Sequence, residues 1–120
     1  MNMENITIYY KENSDACTKA MDWFEKNNIT VNMKKIDTIT HREIFQLIYL
    51  SGLDVSDILR KLHMYSFLEQ KNKWKLNKLR FGESLSFLER HTELLELPIV
   101  LSNEKAVSGY NEEQLKSFLL

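Results

Sequence analysis

The stretch Asn5-Ile6-Thr7-Ile8-Tyr9-Tyr10-Lys11-Glu12-Asn13-Ser14-Asp15-Ala16-Cys17, running on to Asn27, decides how the rest of the chain is read. Ile6, Ile8 and Tyr10 alternate with Thr7 and Tyr9, the period of two that marks a strand. The polar run from Lys11 to Asp15 breaks that pattern. Ser14 is placed to cap a helix, its hydroxyl accepting a hydrogen bond from an unpaired N–H of the first turn. Ala16, Ala20, Met21, Trp23 and Phe24 then recur at helical spacing and predict a helix with one apolar face laid on the strand. Cys17, the sole cysteine, falls in the first turn of that helix. There the helix dipole and free N–H groups favour a thiolate, whereas free cysteines are among the most buried residues and buried thiols are inert. The motif reads Ser14-Asp15-Ala16-Cys17, where a redox-active loop of this type has Cys-x-x-Cys. A hydroxyl forms no disulfide, so the loop has no internal oxidised state.

Outward from this stretch, the bulk properties narrow the field. A chain of 120 residues with a formal charge of −1 fits one domain with no overall pull toward nucleic acid or membrane. The start, Met1-Asn2-Met3-Glu4, has no basic stretch ahead of an apolar run, and no apolar run is long enough to span a bilayer. A lone cysteine fits a reducing cytoplasm, the location expected.

Asn27-Asn28 marks a turn, and Ile29 to Ile36 predicts a second strand with Ile29, Val31, Met33 and Lys35 on one face. Strand, helix and strand in close succession predict a parallel βαβ unit. Thr40-His41-Arg42-Glu43 has the form of a capping box opening a helix along Ile44, Leu47, Ile48 and Leu50, ended by Gly52. Val55, Ile58, Leu59 and Leu62 predict a further short helix. From Thr40 to Glu96 no proline occurs, so several packed helices are expected, with Leu85, Leu88, Leu94 and Leu95 buried. Pro98-Ile99-Val100-Leu101 and Lys105-Ala106-Val107-Ser108 predict a hairpin around Ser102-Asn103-Glu104. Asn111 caps a last helix with Leu115, Phe118 and Leu119 facing inward. The order βαβ, helical block, ββα predicts an α/β domain with a helical insertion.

At this point the residues resemble a known family. Ile6-Thr7-Ile8-Tyr9, with Cys17-Thr18-Lys19-Ala20 and Trp23, is similar to the opening of the Spx and arsenate reductase (ArsC) family. Leu97-Pro98-Ile99-Val100 and Gly109-Tyr110-Asn111-Glu112-Glu113 resemble its closing strand and helix start, and the closing motif is nearest to the Spx type. The resemblance covers nearly the whole chain and is weakest between about Lys61 and Glu83. It implies a thioredoxin-like mixed four-stranded sheet, thioredoxin-like halves at 1–37 and 97–120, an insertion at 38–96, and a cis peptide before Pro98.

The departures from the family matter as much. Its arsenate reductases use a nucleophilic cysteine where this chain has Ser14, and an oxyanion-binding arginine where it has Leu97. A serine hydroxyl is a weak nucleophile without a base, and no histidine lies nearby in sequence. Arsenate reduction is therefore not expected, and no catalytic residue and no cofactor is assigned. Spx proteins are transcription regulators of the stress response that bind the C-terminal domain of the RNA polymerase α subunit, often with a Cys-x-x-Cys switch. The resemblance implies that partner here, without the switch, through a surface that would include Gly52, Asp54 and Arg60. Promoter DNA would be met indirectly, and the protein is expected to be a monomer. The alternatives are a degenerate ArsC-like protein, or a glutathione-linked thiol oxidoreductase acting through Cys17. Because Cys17 holds the second, shielded place of the motif, burial is expected to prevail and the thiol to react slowly.

Two other groups have ordinary readings. His41, His63 and His91 are scattered, with no partner at metal-ligand spacing, so no metal site is assigned. Lys71, Lys73, Lys75, Lys78 and Arg80 surround Trp74 with no acidic residue among them. Such a patch suits nucleic-acid phosphates. A solvated helix face with lysine stems over an apolar base is the commoner outcome, and the one expected here.

Overall fold

The computed structural model describes residues 5–61 and 65–119. Strand β1 (Thr7–Tyr10) leads into helix α1 (Asp15–Lys26), and β2 (Asn32–Lys35) follows. Next come α2 (His41–Ser51), α3 (Phe67–Leu76) and α4 (Phe81–Arg90), with short 3-10 turns at Ile36–Thr38, Val55–Ile58 and Thr92–Leu94. The chain closes with β3 (Ile99–Leu101), β4 (Ala106–Ser108), α5 (Glu112–Leu115) and a 3-10 turn at Lys116–Phe118. The strands form one mixed sheet in the order β2-β1-β3-β4, with β1 parallel to β2 and antiparallel to β3, and β3 antiparallel to β4. This is the thioredoxin-like α/β arrangement that the sequence predicts.

Register sets the layers. Ile8 pairs with Val100 and Val100 with Val107, so these three stand on one face of the sheet. There they join Ala20, Trp23 and Phe24 of α1 and Leu115 and Phe118 from the C-terminal end. Tyr9 pairs with Ile99 on the opposite face, where Ile44 and Leu47 of α2 and Leu85 and Leu88 of α4 cover them. Burying each such aliphatic side chain contributes about 1.5–3 kcal/mol. Both faces of β1 are thus covered, which is why Tyr9 is as buried as Ile8 although alternation alone puts it on the polar side.

Local signals fix the helix ends. The Thr40 hydroxyl accepts from the Glu43 N–H, and Glu43 Oε1 accepts from the Thr40 N–H at 2.9 Å, completing the predicted box. Glu43 Oε2 accepts a hydrogen bond from the Tyr9 hydroxyl, tying α2 to the sheet. Burial, with that carboxylate beside it, pushes the Tyr9 phenol well above its ordinary range. Gly52 ends α2 with φ of 74°, a left-handed conformation that suits glycine. Leu85, Leu88, Leu94 and Leu95 are all buried as predicted.

Three details differ from the sequence reading. The second strand is shorter than Ile29–Ile36 and exposed along its length, with Met33 53% exposed. It lies at the sheet edge, so the core is reached from its flanks, by Ile29 and Val31 ahead of it and Ile36 after it. The short helix at Val55 is a 3-10 turn ending at Ile58, because Leu59 leaves it to make a β-bridge with Leu95; Leu62 lies outside the described residues. Leu119 is 43% exposed, since a 3-10 turn replaces the last α-helical turn and rotates it outward. The basic stretch is a solvated face, as expected, with Lys71, Lys75, Lys78 and Arg80 exposed.

Candidate functional site

The Leu97–Pro98 peptide is cis, as expected, and Pro98 is buried at the start of β3. Its carbonyl accepts from the Gly109 N–H at 2.8 Å. Gly109 has φ of 82°, and a Cβ there would stand 3.1 Å from Cγ of Glu96. The glycine of the closing motif is therefore required by backbone conformation and by the close approach of Glu96. Asn111, two residues on, caps α5 by accepting from the Gln114 N–H at 3.1 Å. The most specific motif of the chain is structural.

At the other end of this region, the Ser14 hydroxyl accepts from the Cys17 N–H at 3.3 Å, and the Ser14 carbonyl accepts from the Thr18 N–H at 3.0 Å. Ser14 serves as the helix cap, as its place in the sequence predicts. Cys17 is 1% exposed, so its sulfur lies behind the cap and out of solvent. Cys17 is buried, as expected from its second place in the motif.

Ser14 opens on a cleft of about 900 Å³. The floor is made by Tyr10 to Ala16 and the walls by Lys35 to Asp37, Arg60, and Thr92 to Leu97 without Leu94. Arg60 reaches it through two backbone bonds that splice distant segments: the Arg60 N–H donates to the Leu94 carbonyl at 2.9 Å, and the Glu96 N–H donates to the Ile58 carbonyl at 2.8 Å. Its guanidinium donates to the Glu93 carbonyl at 2.8 Å, pairs with Glu69 at 3.4 Å, and stacks over the Tyr65 ring. Burial is the main cause pushing the Tyr65 hydroxyl up to about 12, and that hydroxyl donates to the Leu94 carbonyl at 2.8 Å. The Ser66 N–H is the main cause holding the Glu69 carboxylate below its ordinary value, with Arg60 adding to it.

This places the sequence-predicted residues in two groups. Ser14, Arg60 and Leu97 share the cleft. Gly52 and Asp54 sit at the far end of α2, both exposed, Gly52 closing the helix and Asp54 opening the next 3-10 turn. Sequence reasoning did not bring Arg60 to Ser14, because an isolated β-bridge leaves no periodic trace. It also missed Glu93 and Glu96 in the cleft wall. An exposed ring cluster escaped it too: Phe45 and Tyr49 stack at 6.1 Å between centroids, with Phe81 edge-on to Phe45. The i, i+4 spacing of Phe45 and Tyr49 is the signal that predicts such a pair.

The cleft has little to offer an oxyanion. Glu12, Asp15, Asp37, Glu93 and Glu96 line it against Lys11, Lys35 and Arg60, five carboxylates to three cations. Among the described residues no imidazole lies in its lining, and Leu97 presents no charge beside the cis peptide. His41 lies elsewhere, its backbone N–H donating to Glu89 Oε1 at 2.6 Å, and His91 stacks on Phe87; His63 lies outside the described residues. Among the described residues, no group of three or more His, Cys, Asp and Glu side chains is placed to hold a metal, and no helix is long and apolar enough to cross a membrane.

A mixed sheet of this order, a helix opening at an x-x-Cys turn, and a cis-proline that follows Leu97 of the same cleft define a thioredoxin-fold protein of the arsenate reductase type. The ArsC family model matches residues 9–118, and the chain belongs to that family. Among curated proteins it is similar to the global transcriptional regulator Spx of Streptococcus pneumoniae, with 26% identity over 116 residues, 95% of this chain and 85% of that protein. The protein of the same name from Staphylococcus aureus is 25% identical over 95% of this chain and 86% of its own. Among solved structures, an ArsC family related protein from Bacteroides fragilis superposes with a TM-score of 0.82 at 24% identity, covering 98% of this chain and 99% of that one. An arsenate reductase from Vibrio cholerae superposes at 0.81 with 21% identity, covering 98% and 100%. The two structural likenesses speak for the fold alone.

Proposed function

We propose that this protein is a Spx-like transcriptional regulator that binds the C-terminal domain of the RNA polymerase α subunit, without enzymatic activity and without a disulfide switch in its motif loop. One observation carries the reading: the cleft that holds arsenate chemistry in the family has here a capping hydroxyl at Ser14 and an uncharged Leu97. The Ser14 hydroxyl is engaged as the helix cap, and among the described residues no imidazole lines the cleft to activate it as a nucleophile. Relatives named as Spx regulators, spanning 95% of the chain, support the regulator over the reductase. The exposed end of α2, with Gly52 and Asp54, is the proposed polymerase-facing surface, and Arg60 is its proposed link to the motif cleft. The protein acts in the cytoplasm as a monomer.

The test is titration of the labelled α-subunit domain with the native protein, Ser14→Cys and Gly52→Asn, with and without peroxide, alongside an arsenate reduction assay. Asparagine tolerates the left-handed backbone at position 52, and nothing lies within 4 Å of the added Cβ, so this variant alters the surface and not the fold. The native protein is expected to bind regardless of peroxide, Gly52→Asn to bind more weakly, and Ser14→Cys to gain a peroxide response. No binding by the native protein, or arsenate turnover by it, overturns the proposal.

A further inference from the structure

Helix α3 is unlike the other long helices of the molecule. It buries only Leu76. Phe67 and Trp74 are 73% and 71% exposed, and Leu68 stands out beside them. Phe67, Lys71 and Trp74 follow at i, i+4 and i+7 on one face of the helix, and Lys78 lies in the turn just past its end. The face therefore runs ring, cation, ring, with a further cation just beyond. Lys71 Nζ lies 5.2 Å from the centre of the Phe67 ring. Along Phe67 to Arg80 the one carboxylate is Glu69, which pairs with Arg60 and caps the helix start. Lys71, Lys73, Lys75, Lys78 and Arg80 make no salt bridge among the described residues, so their charge is uncompensated.

We propose that this face of α3 binds single-stranded nucleic acid, with unpaired bases stacked on Trp74 and Phe67 and phosphates held by Lys71 and Lys78. Charge complementarity sets the sign of the partner, and the interleaving of rings with cations sets its kind. An anionic bilayer is met by helices that segregate apolar and basic residues onto opposite faces, and α3 mixes them on one. A duplex hides its base faces, leaving exposed rings nothing to stack on. A single strand offers both groups at once: base faces for rings, and phosphates within reach of the lysines between them. The two rings are seven residues apart, about 10.5 Å along the helix. That span accommodates a short run of nucleotides and is indifferent to sequence. Opened promoter DNA and RNA share this chemistry, and the test separates them. The site is independent of the α-subunit surface proposed above, so either can fail alone.

The two tryptophans make a built-in reporter, because Trp23 is 8% exposed and Trp74 is 71% exposed. Quenching of the exposed indole on titration with oligo-dT or oligo-U of twenty nucleotides, with a matched duplex as control, reads stacking directly. The expected result is quenching and binding by the single strands, with the better of dT and U naming the natural source. Read by the anisotropy of a fluorescein-labelled oligonucleotide, since the variant lacks the reporting indole, Trp74→Ala should weaken binding about ten-fold or more. Lys71→Ala with Lys78→Ala should lower the slope of log affinity against log salt by about 1.4, two contacts at about 0.7 each. Both variants should keep the far-UV circular dichroism and urea midpoint of the native protein, which shows them folded. Equal binding to duplex, unchanged affinity in Trp74→Ala, a blue shift on phosphatidylglycerol vesicles without quenching by oligonucleotide, or a concentration-dependent blue shift from self-association would each overturn the proposal.

Discussion

The two tryptophans of this chain stand on helices that begin alike and end up opposite. Helix α1 opens at Ser14 and α3 at Ser66, each serine hydroxyl accepting from the N–H three residues on. Trp23 of α1 then packs edge-on against Phe24 with ring centroids 5.1 Å apart, inside the sheet-facing core. Trp74 of α3 meets solvent. Local capping chemistry is thus the same, and the difference lies in what each helix finds beneath it. Helix α1 covers a strand whose partners are already fixed, whereas α3 lies at the periphery of the helical block and touches its core through Leu76. A helix start is written locally, and burial is written by the sheet.

The sharpest way to break this contrast is to truncate both rings. Trp23→Ala should cost about 3–5 kcal/mol, the usual range for a core aromatic, and Trp74→Ala less than about 0.5 kcal/mol, measured by urea unfolding. Equal costs would mean that α3 is packed in solution. Next in size is the reactivity of Cys17. Its burial predicts alkylation by iodoacetamide at neutral pH far slower than in urea-unfolded protein, because the reagent must await local opening of α1. A native rate matching the unfolded rate would place the sulfur in the cleft and favour a thiol enzyme.

The caps test the shared feature. Ser14→Ala and Ser66→Ala should each cost about 1 kcal/mol by the same unfolding measurement. Because Glu69 returns the bond to the Ser66 N–H at 2.8 Å and also pairs with Arg60, Ser66→Ala should additionally disturb the Arg60 side of the cleft. The smallest effect concerns pH. Tyr9 and Tyr65 both have folded values raised above the ordinary 10.0, chiefly by burial. The neutral phenol is the form the fold favours, so their contribution is whole below pH 10. It is lost as the pH rises toward about 12, the folded value of Tyr65. Thermal melts between pH 9 and 11.5 should show a decline that begins near 10 and is shallower in Tyr65→Phe, which lacks the titrating group. A decline with acid onset near neutrality would contradict this assignment.

Much of the architecture was legible because it is locally encoded. Thr40 and Glu43, Gly52, Asn111 and Gln114 announce helix ends through hydrogen bonds within three or four residues. The alternation of Ile6 and Ile8 announces a strand, and Ser14 announces the cap ahead of a buried cysteine. What escaped depends on long-range partners. Tyr9 is buried because helices cover both sides of β1, and no residue near Tyr9 says so. Met33 is exposed because β2 is an edge, a property of strand order rather than of the strand. Arg60 enters the motif cleft through a splice to residues more than thirty positions away, and a reading of neighbours groups it with Gly52 and Asp54 instead.

Glu43 has a consequence of another kind. Its carboxylate serves the Thr40 N–H, the Thr40 hydroxyl at 3.1 Å and the Tyr9 hydroxyl together. One side chain thereby joins the first turn of α2 to the central strand β1. If that turn frays, the buried phenol loses its acceptor, and if the strand slips, the turn loses part of the carboxylate that closes it. The two parts of the molecule are consequently obliged to open together. Amide exchange at Glu43 and Ile44 should therefore be governed by the same unfolding event that exposes Ile8 and Tyr9, and not by fraying of a helix end.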